Sequence, residues 1–103
     1  VMKDFQKWIK EVNPENKRLL FWSDNNGFDF AWINWYCLTF LNENPFGHSS
    51  FNLGSLYKGL VKDCYKNFKF LRKTKHTHNA LDDAKGNAEA LLWLKNKGFN
   101  IKL

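Results

Sequence analysis

The sequence predicts an α/β layer fold, on three observations. Arg18 to Ser23 is a short apolar run bounded by turn residues and reads as a buried strand. Asp24-Asn25-Asn26-Gly27 is strong turn chemistry. Residues 28–40, which follow, are apolar almost all round, as suits a helix buried on most sides. A helix-only bundle is the alternative, but a strand–turn–buried-helix unit belongs to an α/β layer. At 103 residues the chain makes a single domain, 1–103.

The elements follow in order. Phe5, Trp8, Ile9 and Val12 fall at spacings of three and four, predicting an amphipathic helix over 2–12 that ends at Asn13-Pro14. Val1 enters it without a cap. The strand at 18–23 cannot satisfy its own backbone groups, so further strands are expected from upstream or from another chain. After the apolar helix, Asn42 to Asn52, with Pro45 and Gly47, reads as a loop. Leu53 to Phe68 reads as an amphipathic helix with Leu56, Tyr57, Leu60, Val61, Cys64 and Phe68 as its buried stripe. Lys69 to Asn79 is a basic connector. A last helix spans 80–97, with Gly98 expected as its C-cap. The total is one strand and about four helices.

Hydrophobic residues make up 44% and aromatics 17%, enough to build a core, which excludes a disordered chain. A net charge of +6 and a pI of about 9.4 favour a polyanionic partner. Cys37 and Cys64 fall on apolar faces of predicted helices and read as buried free thiols in a reducing compartment. A zinc site built from them with His76 and His78 lacks the usual ligand spacing. No apolar run approaches the ~20 residues that span a bilayer, and no signal-peptide pattern opens the chain. These features point to a cytoplasmic protein without a membrane partner.

Three groups of residues could carry chemistry. Asp29 shares a helical face with Ile33, Tyr36 and Phe40. A carboxylate there is costly unless paired or bound to a cation, but in a first turn it is equally a dipole-capping acid. Asp82 and Asp83 open the last helix, where acids are common. His78, just before it, could act as a general base, with His76 as a nearby decoy and His48 structural or exposed. Lys58, Lys62, Lys66 and Lys69 form a helical stripe, which Arg72, Lys73 and Lys75 extend towards His78. Seven positive charges stand there against Asp63 alone, a surface suited to steering a phosphate backbone.

Together these segments resemble the DEDD superfamily of 3′–5′ exonucleases and its histidine-bearing DEDDh branch. His78-Asn79-Ala80-Leu81-Asp82-Asp83-Ala84 matches the third motif of that branch, H-x-x-x-x-D. Asn25, Phe28 and Asp29 match the second. The nearest likeness is to a small exoribonuclease-like group, through Ser23-Asp24-Asn25, the Trp32–Tyr36 helix, Asn44-Pro45-Phe46-Gly47, Leu53-Gly54-Ser55-Leu56-Tyr57, Arg72 to Asn79 and Gly86-Asn87-Ala88-Glu89-Ala90. The resemblance covers about residues 2 to 97. It implies an RNase H-like fold of which this chain is the C-terminal portion, with N-terminal sheet strands missing.

The resemblance also implies two divalent metal ions, Mg or Mn, held by four acids that include Asp29 and Asp83, with His78 activating the attacking water. The basic residues and Asn25 would then hold a single-stranded nucleic acid, RNA being favoured, and nucleoside 5′-monophosphates would be released. The first motif of the family, Asp-x-Glu, does not occur in these residues. Two other readings stand beside the exonuclease. One is a non-catalytic nucleic-acid-binding module. The other is an inactive fragment that pairs with another subunit, as a homo-oligomer or with the N-terminal half of the same protein.

Overall fold

Helix α1 (Met2–Val12) forms over the predicted span and ends where Asn13 N–H reaches back to the Ile9 carbonyl. The computed structural model describes residues 1–103. They divide into two units: Val1–Trp22 with Asn26–Phe51, and Ser23–Asn25 with Asn52–Leu103.

In the first unit, α1 packs on α2 (Asn26–Leu41), and Ile9 and Cys37 are buried. Aromatic rings fill the space around them. Phe21 meets Phe30 and Phe46 with ring centroids 5.4 Å apart in each case, and Phe5 reaches Phe46 at 6.4 Å. Asn13 fixes the turn after α1, exchanging side-chain hydrogen bonds with the backbone of Lys17.

The predicted strand is much shorter than 18–23. Only Trp22–Ser23 (β1) is extended and paired, and its partner is Phe51–Asn52 (β2), inside the stretch read as a loop. Phe51 N–H donates to the Phe21 carbonyl at 2.9 Å, and Phe51 stacks on Trp22 at 4.8 Å. A two-residue strand after Pro45, Gly47 and two serines carries no alternation to read, which is why it escaped the sequence.

The expectation that α2 is buried on most sides is also corrected. Only Cys37 is fully buried, while Phe28, Trp32, Trp35, Tyr36, Leu38 and Phe40 are exposed. A helix that is apolar all round needs neighbours on every side, and α1 covers one of them.

The second unit holds α3 (Leu53–Val61), a 3₁₀ turn (Lys69–Leu71), α4 (Ala80–Trp93) and a π-helical turn (Leu94–Gly98). Its core is Leu53, Tyr57, Phe68, Leu71, Ala90 and Leu94. Asn52 caps α3, its side chain accepting from Ser55 N–H at 2.9 Å.

α3 stops at Val61 and not at Phe68. Lys62 takes a left-handed conformation (φ 58°), and Asp63 and Asn67 accept from the backbone N–H groups of Tyr65 and Lys69. Such local side-chain bonds compete with the helix ladder. Lys66 and Lys69 therefore leave the helix, and the lysine stripe is not one helical face. Cys64 is exposed, contrary to its predicted burial.

Gly98 is not the left-handed cap expected of it. It closes the π turn, in which Phe99 N–H returns to the Leu94 carbonyl at 3.0 Å. Its missing side chain makes room for the Trp93 ring, since a Cβ would stand 2.5 Å from Cζ3.

Candidate functional site

The connector from Phe68 to Asn79 is held to α4 by two polar anchors. Arg72 is the first: its Nη2 donates to Asn87 Oδ1 at 2.8 Å and to Asp24 Oδ2 at 3.3 Å, and its guanidinium lies 4.8 Å from the centre of the Phe68 ring. Thr74 is the second, its N–H donating to Glu89 Oε1 at 2.9 Å. The Thr74 hydroxyl and N–H hold the Glu89 carboxyl below its ordinary pKa.

Beyond Thr74 the chain turns onto the N-terminus of α4. Asn79 caps that helix, its side chain accepting from Leu81 N–H at 3.0 Å. Thr77 Oγ1 donates to Asp82 Oδ2 at 2.7 Å and accepts from Asn79 N–H at 3.3 Å. Between them His78 adopts a left-handed backbone (φ 62°). That conformation is unfavourable for a side chain with a Cβ and persists only where the surroundings impose it.

The result is a cluster of His76, His78 and Asp83, whose ligand-capable atoms all lie within 4.8 Å of one another. The two imidazoles meet edge to face at 4.5 Å. His76 Nδ1 stands 2.8 Å from Asp83 Oδ1, at ion-pair distance. That oxygen is closed to solvent and has no aligned hydrogen-bond donor, so it is an under-satisfied acceptor beside the His76 imidazole. Two imidazole nitrogens and a carboxylate oxygen are a chemically sound set for a divalent cation.

The structure brings His78 and Asp83 together and adds His76, which the sequence argument set aside as a decoy. Asp29 lies in the first turn of α2, in the other unit, and is exposed. Its position is that of an acid at a helix N-terminus. Asn25 sits exposed and left-handed (φ 47°) in the turn after β1.

Of the basic residues assigned to nucleic acid, Lys62, Lys66, Lys69, Lys73 and Lys75 are exposed and Lys58 is half-buried. Arg72 departs from that assignment. Its side chain is 8% exposed and its donors are directed inward. Lys69, Lys73, Lys75 and His76 line a small hollow of about 260 Å³ on the connector. A larger cavity, about 830 Å³, belongs to the first unit, and none of the predicted site residues lines it.

The chain is similar to the 3′–5′ DNA exonuclease Cap18 of Escherichia coli, with 30% identity over an alignment covering 85% of this chain and 51% of that protein. It thus spans about half the length of the relative it matches, and the similarity is to a nuclease. No family model matches the chain. No solved structure matches it either.

Proposed function

We propose that this chain forms the C-terminal part of a metal-dependent 3′–5′ exonuclease domain of the DEDDh, RNase H-like type. Asp83 carries the reading: one carboxylate oxygen is shielded from solvent and without an aligned donor, and the residue lies in one cluster with His76 and with His78, the latter at the spacing of the third motif. The similarity to a 3′–5′ DNA exonuclease supports it.

By the resemblance, Asp83 and Asp29 would each serve as a ligand to divalent metal, Mg or Mn, as would an Asp-x-Glu pair from outside these 103 residues. Bound there, the metal supplies Lewis-acid stabilisation of negative charge on the phosphate. His78 takes the proton of the attacking water as general base. The water oxygen forms a bond to the terminal phosphorus as the P–O3′ bond breaks. The leaving 3′-oxygen takes a proton from solvent, so the shortened strand keeps a 3′-hydroxyl, and a nucleoside 5′-monophosphate leaves. Lys73 and Lys75, exposed beside the cluster, serve as phosphate contacts.

The test is a 5′-labelled single strand given to the protein containing these residues, with Mn²⁺ and beside Asp83→Ala. Stepwise shortening from the 3′ end that requires the metal and vanishes in the variant is the expected result. Full turnover by Asp83→Ala overturns the site. The resemblance favours RNA whereas the relative is named for DNA, so parallel RNA and DNA strands assign the sugar.

The exposed aromatic side chains of α2 favour a second reading, in which the chain pairs with another polypeptide through that helix. A concentration-dependent dimer on size exclusion supports pairing with a second copy. A monomer at all concentrations removes that form of it.

A further inference from the structure

We propose that His76, His78 and Asp83 form a binding site for a single borderline transition-metal ion, zinc in the first instance. This site is distinct in ligand set from one that would hold Mg or Mn through carboxylates. It shares Asp83 and His78 with the exonuclease reading and deepens it, and its test is a binding measurement, so either can fail without the other.

Hard cations such as Mg²⁺ take oxygen ligands, whereas imidazole nitrogen suits zinc and its neighbours. Two imidazoles and one carboxylate match the three-ligand sets of open zinc sites, which leave a fourth position for water. A tetrahedral zinc site places its ligand atoms about 3.3 Å apart. Here the three atoms lie within 4.8 Å of one another, and the His76–Asp83 pair, 2.8 Å apart, needs to open by about 0.5 Å to take an ion between them. Both histidines are exposed, so their imidazoles have room to turn towards a shared ion.

The cluster is also partly pre-organised. The backbone between the two histidines is tied to the first turn of α4 through Thr77 and Asp82, and His78 is held left-handed. The shielded oxygen of Asp83, which has only the poorly aligned His76 Nδ1 beside it, gains a directed bond to the ion. Lys73 and Lys75 on the same connector oppose a cation, and Asp82 beside Asp83 offsets part of that charge. Zinc bound here occupies His78, the residue assigned to proton transfer, so it would act as an inhibitor of the magnesium- or manganese-supported reaction.

Titration of the chain with Zn²⁺ alone, followed by calorimetry and by the imidazole proton resonances in NMR, tests the site. The expected result is one ion per chain, with the resonances of His76 and His78 shifting and that of His48 unmoved. His76→Ala and Asp83→Asn should each weaken binding by more than about tenfold, since the loss of even an outer-sphere partner of a metal ligand costs that much. Saturating Mg²⁺ should not displace the zinc. Absence of binding, movement of His48 in place of His76 and His78, or undiminished affinity in His76→Ala would each overturn the proposal. The resonances of the unmodified chain keep the test decisive even if a variant fails to fold.

Discussion

Gly86 lies against the side chain of Arg72: a Cβ at position 86 would meet Arg72 Cδ at 3.1 Å and Cγ at 3.3 Å, with the Thr74 carbonyl at 3.4 Å. Gly86 is buried in the middle of α4. Replacing a mid-helix glycine with alanine ordinarily gains about 1 kcal/mol. Here the new methyl must displace a guanidinium stem fixed at its far end by Asp24 and Asn87. Overpacking of that kind costs roughly 1–3 kcal/mol. The crowding should win, leaving Gly86→Ala about 1 kcal/mol less stable. Its melting temperature is expected to fall by about 4–8 °C, and a rise would show that Arg72 moves freely.

The Arg72 side chain should be worth more than its nearness to the basic connector implies. Arg72→Ala leaves Asp24 and Asn87 without their shared donor and opens space over Phe68. We expect a loss of about 2–3 kcal/mol in chemical denaturation. Arg72→Lys keeps the charge but not the planar fork, and should recover only part of it. If Arg72→Ala weakens nucleic-acid binding while stability is unchanged, the inward-directed role is wrong.

These two residues also indicate how much of the molecule was legible beforehand. Spacing alone located α1, because Phe5, Trp8, Ile9 and Val12 record one amphipathic period. The meeting of His78 with Asp83 was likewise a local matter, set by five residues across one helix start. His76 was not legible, because its place in the cluster depends on the left-handed backbone of His78, which no periodicity encodes. Arg72 looked like one more cation in a basic run. Its partners, Asp24 and Asn87, lie 48 and 15 residues away in sequence. The lysine stripe failed for the opposite reason: the 3.6-residue pattern continued past the point where Asp63 and Asn67 turn the chain out of the helix.

Glu89 gives the connector a pH dependence. Hydrogen bonds from the Thr74 hydroxyl and N–H favour its ionised form, so its folded pKa lies below its unfolded one. Such a group adds stability above the unfolded value, and that contribution is lost as pH falls through the folded value. Melting curves of the wild type and Glu89→Gln should therefore differ most near neutral pH and converge on acidification. Curves that stay parallel down to pH 3 would remove the ionic part of this anchor.

The most direct prediction for the exonuclease reading concerns the division of labour between His78 and Asp83. If His78 is a general base, its role is confined to the proton of the attacking water, and the strand is held elsewhere, by exposed lysines such as Lys73 and Lys75. His78→Ala in the protein containing these residues should then lower kcat by about 10²–10⁴-fold. The Kd for a single strand should change little, because phosphate contacts dominate that affinity. Asp83→Ala should remove turnover altogether, since it takes away a metal ligand as well as the partner of His76. An unchanged kcat in His78→Ala would strip that residue of its base function, and the role would pass to His76, the other imidazole facing the same carboxylate.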